Sequence, residues 1–157
     1  MLQSDHIGEL SIRKGSIFAM NLADRTAHKV KMKTLSETIA QHLRRLAAEI
    51  SHQSIDRYAV YLERLAQHLV DCCALCTGTG GSTTADQTRA LTQARLVALE
   101  IGNTVTILFE QVFITAATRD RILNQLDLLG QEIQTCMQEI SEMKSSDLTE
   151  QEGDSEK

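Results

Sequence analysis

Not one proline interrupts the 157 residues of this chain, and that absence sets the class of fold open to it. Proline stops helices because its ring fixes φ and removes the backbone donor. A chain without it, rich in Ala, Leu, Gln and Glu, favours long helices over any other element. At this length the chain fits one domain and has enough residues to bury a core.

The spacing of apolar residues says where those helices lie. Ile55, Tyr58, Leu62, Leu65, Leu69, Cys72 and Cys76 follow one another at alternating steps of three and four. This is the seam of a helix laid against neighbours. Ser54 or Asp56 caps its start, and the Gly-rich TGTGG ends it. A second seam runs Leu91, Ala94, Ala98, Ile101, Val105, Leu108 and Val112, with Thr84 or Asp86 as cap. A third runs Ile122, Leu126, Leu129, Ile133, Cys136, Ile140 and Met143, capped by Thr115 or Thr118. Ahead of them, Leu35, Ile39, Leu43, Leu46 and Ile50 mark a helix from Asn21 or Thr34 to Ser51. Short connections near 51–54 and 113–118 make those pairs antiparallel neighbours. The expected fold is all-α, an antiparallel four-helix bundle over 21–144.

Two segments stand outside that pattern. Residues 1–20 show no helical period and read as a flexible or partner-ordered arm. Residues 145–157 hold five acids and one base, with the low apolar content of a disordered acidic tail. Of the net charge of −5, this tail supplies −4. Residues 1–52 carry eight Lys/Arg against five Asp/Glu, so the first third is basic. No apolar run is long enough for a signal peptide or a membrane span, so a soluble, cytoplasmic protein with reduced cysteines is expected.

Three of the four cysteines fall in CCALC, 72–76. His68, Cys72 and Cys76 share a helical face, but structural zinc takes four ligands and no second CxxC exists. A thioredoxin-like motif opens a helix after a strand, whereas this one closes a helix. Cys72, Cys76 and Cys136 therefore read as small core residues, with no metal and no cofactor expected. GTGGST lacks the Lys of a phosphate loop and follows a helix, so it reads as a turn. Glu49-Ile-Ser-His52 fits one half of a di-iron motif whose second copy is missing. Arg45 and His52 have the Arg-x6-His spacing of helical RNases of the HEPN type, where such a pair polarises an RNA phosphate. No other nucleophile has an evident base, so a non-enzymatic role is expected.

Charge and surface remain. Arg25, Lys29, Lys31, Lys33, Arg44 and Arg45 lie on or before the first bundle helix and suit phosphate contacts to RNA or DNA. With only three Phe, two Tyr and no Trp, base stacking has few platforms. Beside the seam of the 84–112 helix, Leu99, Gly102, Phe109 and Phe113 form a second stripe. A helix apolar on most of its circumference is central in its domain or shared with another subunit. In a bundle this small the stripe is expected to be a homo-oligomer interface.

The stretch ALTQARLVALEIGNTVTILFEQVFITAATRDRILNQLDLLGQEI, 90–133, resembles the last two helices of the Avd family, accessory variability determinants of diversity-generating retroelements. Related four-helix proteins are encoded in intervening sequences of large ribosomal RNA. Leu126, Asp127, Gly130 and Ile133 match the family's Leu-Asp-Glu-Ile-Gly-Arg-Met-Leu segment, while QTCM replaces the Gly-Gly-Trp that follows it. The family is strongly basic, and this body is near neutral. The resemblance implies a ring-like homo-oligomer, a pentamer, that binds a partner reverse transcriptase and retroelement RNA and supports mutagenic cDNA synthesis without catalysis of its own. The alternatives are a HEPN-like RNase using Arg45 and His52, and a protein-only helical scaffold or chaperone.

Overall fold

The computed structural model describes residues 2–51, 56–77 and 83–155, with side chains described for 27–51, 57–76 and 83–145. The described residues form four helices: α1 (Leu2–Ser51), α2 (Asp56–Thr77), α3 (Thr84–Glu110) and α4 (Ala116–Ser155). No strand occurs among the described residues, so the all-α class holds. Among these residues no helix is long and apolar enough to cross a membrane.

Helix extents differ from expectation at both ends. Residues 2–20, read as an arm, continue α1 as helix, and 145–155, read as a tail, continue α4. The physical reason is that elongation is cheap once a helix is nucleated. Each added residue gains one hydrogen bond for one pair of dihedrals ordered, and no proline blocks it.

The expected seams line the core. Ile39, Leu43, Leu46 and Ile50 of α1 are buried, as are Leu62, Leu65, Leu69, Cys72 and Cys76 of α2. From α3 come Leu91, Ala94, Ile101, Val105 and Leu108, and from α4 Ile122, Leu126, Leu129, Ile133, Cys136 and Ile140. Leu35, Tyr58 and Ala98 pack at the margin. Among the described residues two seam members fall out: Met143 is exposed, and Val112 lies beyond the end of α3; Ile55, which opens the α2 seam, lies outside the described residues. Met32, Ala40 and Ala47 join the core from α1. The buried Ser36 satisfies its hydroxyl on the Lys33 carbonyl at 2.7 Å, and Thr104 bonds the Glu100 carbonyl at 2.8 Å. Such bonds to the preceding turn let a hydroxyl enter an apolar interior without an orphaned donor.

Caps set the helix ends. Thr83, one residue ahead of the expected position, caps α3: its Oγ1 accepts from the Asp86 N–H, and the Asp86 side chain accepts from the Thr83 N–H. This reciprocal capping box satisfies two donors that the first turn leaves open. Thr115 caps α4 by accepting from the Thr118 N–H at 3.2 Å. At the end of α3 the Phe113 N–H donates to the Leu108 carbonyl and the Val112 N–H to the Phe109 carbonyl, both at 2.9 Å. These are the paired bonds of a Schellman ending, with Val112 at φ 66° in the left-handed position that usually belongs to glycine.

Each helix packs on two others: α1 on α2 and α4, and α3 on α2 and α4. Between neighbours the numbering runs in opposite senses. Ser36 pairs with Cys73 and Arg44 with Gln67 across α1 and α2. Tyr61 meets Glu100, and Cys76 meets Gln87, across α2 and α3. His28 meets Glu132, and His42 meets Gln125, across α1 and α4. Gly102 lies against Leu126, and Phe109 against Arg119, across α3 and α4.

Candidate functional site

The cysteines lie inside. Cys72, Cys73, Cys76 and Cys136 are all buried free thiols, as core seam residues should be. Burial pushes Cys73 and Cys76 up to about 12 and Cys136 up to about 11, and it raises Cys72 as well. The thiolate is the form that attacks or binds metal, so these groups are held in their unreactive form at neutral pH. His68 is exposed, away from the buried Cys72 and Cys76. Among the described residues no group of three or more His, Cys, Asp or Glu is placed to hold a metal ion. Much of the Gly-rich turn, 78–82, lies outside the described residues.

The basic residues of α1 separate rather than converge. Lys31 and Lys33 are exposed on α1. Lys29 is half-buried and lines a cavity of about 40 Å³ with Met32, Cys76, Leu91 and Cys136. Its charge favours the thiolates of Cys76 and Cys136, though less than burial opposes them. Arg44 donates to Gln67 Oε1 at 3.0 Å, and the Gln67 amide donates onward to Asp71 at 2.9 Å. The Arg25 side chain and the whole of His52 lie outside what the structure describes.

Arg45 goes elsewhere, into a notch between α1 and α4 of about 50 Å³, lined by His42, Glu49, Thr118, Arg121 and Ile122 as well. His42 is held below its ordinary value by burial first, then by the charges of Arg121 and Arg45. Its Nε2 lies 3.5 Å from Gln125 Nε2, while Gln125 Oε1 is buried without a partner. Exchanging the amide's two ends turns that contact into a bond from the imidazole N–H to the amide oxygen. Neither His42 nor Arg121 was singled out with Arg45 from the sequence. His42 stands three residues before Arg45 on the same face of α1, whereas Arg121 comes from α4, and no spacing rule joins it to them.

The stripe on α3 also divides. Leu99 is 60% exposed. A Cβ on Gly102 would meet Leu123 Cδ2 at 3.7 Å and Leu126 Cδ1 at 3.8 Å, so the helix that comes close to this glycine is α4 of the same subunit. The Arg119 guanidinium lies 3.9 Å over the Phe109 ring, a cation–π contact within the chain. Phe113 packs on the core, as the residue that follows the left-handed position of a Schellman ending often does. Leu99 and Gly102 are brought together in an open furrow between α3 and α4, of about 890 Å³. Leu126, Asp127, Gly130 and Ile133 line it too, and a Cβ on Gly130 would meet nothing within 4 Å. Leu96 and Ile107 of α3 and Leu128 of α4 are further exposed apolar side chains, which spacing alone had not marked out.

A second basic surface lies on α2, where Arg57, Tyr58, Val60, Tyr61 and Arg64 line a shallow concavity. The Tyr61 hydroxyl donates to Glu100 on α3, an attachment that raises the phenol above its ordinary value. Comparisons of this chain with protein-family models, curated proteins and solved structures find no match.

Proposed function

We propose that this chain is a non-catalytic, oligomeric accessory protein. In this reading its four helices form an antiparallel bundle that joins sister subunits along α3 and α4. The assembly, a pentamer, holds RNA or DNA by phosphate contacts and serves a partner reverse transcriptase in a diversity-generating retroelement. The observation that carries the reading is the open furrow between α3 and α4. All four residues that resemble the Avd family segment, Leu126, Asp127, Gly130 and Ile133, line that furrow. Exposed Leu96, Leu99, Ile107 and Leu128 stand on the same two helices. Apolar side chains left open on adjoining helices favour burial against another protein surface. Burial of the thiols, the best nucleophiles available, agrees with a binding role rather than a catalytic one.

Sedimentation equilibrium at micromolar concentration tests the assembly. The wild type is expected to be a closed oligomer and Leu99→Glu a monomer with unchanged helical circular dichroism, because the side chain is mostly exposed in the subunit. RNA is expected to remain intact and to bind with an affinity that falls steeply between ~50 and ~200 mM salt. A monomeric wild type, or turnover of the RNA, would sink the proposal.

A further inference from the structure

Arg45 and Arg121 reach the same notch from different helices, and both bear on one imidazole. Neither forms an ion pair among the described residues. Glu49 lines the notch but lies beyond ion-pair distance of either guanidinium. Two like charges drawn to one small opening repel each other, and although both side chains are exposed to screening solvent, the repulsion at this short range is not abolished. An anion seated between them turns the repulsion into two attractions. Guanidinium groups suit a phosphate in particular, because their forked N–H pairs match its oxygens. Thr118 adds a hydroxyl to the same opening, and His42, held by Gln125 at its Nε2, gains a second donor nitrogen when its ring is protonated, a form that a bound anion favours.

We infer that the α1–α4 notch of His42, Arg45, Thr118 and Arg121 is a binding site for a phosphate group of the RNA backbone. This rests on the nucleic-acid reading above and sharpens it. The seat joins the end of α1 to the start of α4, and most of the basic run on α1 lies outside it. At about 50 Å³ the notch admits one tetrahedral oxyanion at its mouth, so it grips the strand at one point and reads no base.

The test uses the full chain and a fluorescent oligouridylate, with anisotropy read across a salt series. Arg45→Gln with Arg121→Gln should weaken binding about tenfold and flatten the log-affinity against log-salt slope by about 0.7, the share of one phosphate contact on a single strand. Arg45→Lys with Arg121→Lys should recover part of both. Lys31→Gln with Lys33→Gln, exposed and outside the notch, should change affinity less than the arginine pair does. Titration with inorganic phosphate, followed at the His42 ring resonances, separates the two readings. If RNA binds the arginine double variant as it binds wild type, the notch is not the seat and the accessory role stands. If wild type binds no RNA while phosphate still shifts His42 only when both arginines are present, the notch is a phosphate site and the accessory reading falls. If neither ligand responds to the arginines, the inference is overturned.

Discussion

Val112 holds a left-handed backbone at φ 66° with its side chain 87% exposed. A β-branched residue is a poor occupant of that region, because its Cβ crowds the neighbouring carbonyl. The apolar count along α3 puts Val112 next on the seam, since it stands four residues after Leu108. The helix nevertheless stops at Glu110, and the chain turns through Val112 so that Phe113 folds back toward the core. Strain at the valine is offset by burial of the phenylalanine. Val112→Gly removes the strain and loses almost no packing, so it should raise stability by about 1 kcal/mol in urea unfolding. A destabilised Val112→Gly would mean that this turn is not what ends α3.

At the level of the element, local chemistry accounts for most of what is seen. Three-four spacing placed α2, α3 and α4 and the second half of α1, because an amphipathic helix needs only a few turns to declare its face. Caps were legible to within a residue: Thr83 rather than Thr84 begins α3, with Asp86 completing the box instead of capping alone. The first half of α1 was not legible. Residues 2–20 have no apolar period to mark a helix in advance, and helix continuity there is what elongation from the periodic second half allows. Thr83→Ala removes one arm of the box and exposes the orphaned Asp86 N–H, and should cost about 1 kcal/mol of stability. Asp86→Asn keeps an acceptor for the Thr83 N–H but gives up the charge at the helix start, so a smaller loss of stability is expected. Equal stability of Thr83→Ala and wild type would show that water caps α3 as well as threonine does.

Over the whole molecule, the buried thiols tie stability to alkaline pH. A free thiol ionises near 9, whereas Cys73 and Cys76 are pushed to about 12 and Cys136 to about 11 by burial. Between those values the unfolded chain has released protons that the folded chain keeps, so stability falls as pH rises. Below the unfolded value the contribution is intact. Melting temperature should therefore decline from about pH 8.5 to about pH 10.5, and decline less in Cys73→Ala, whatever that variant loses in packing at neutral pH. Parallel slopes for the two proteins would refute a thiol origin.

What the sequence determined by itself is the set of four helices, the apolar face of each and the interior place of Cys72, Cys76 and Cys136. Periodicity and capping act over a few residues, and the residues that carry them are adjacent in the chain. Tertiary structure decided the rest. It laid Arg119 over Phe109, brought Leu126 against Gly102, and drew Arg121 beside Arg45 and His42 while Arg44, one residue away, turned to α2. Each of these depends on the register of two helices side by side. That register is settled by how two whole faces interlock, which no spacing within one helix encodes.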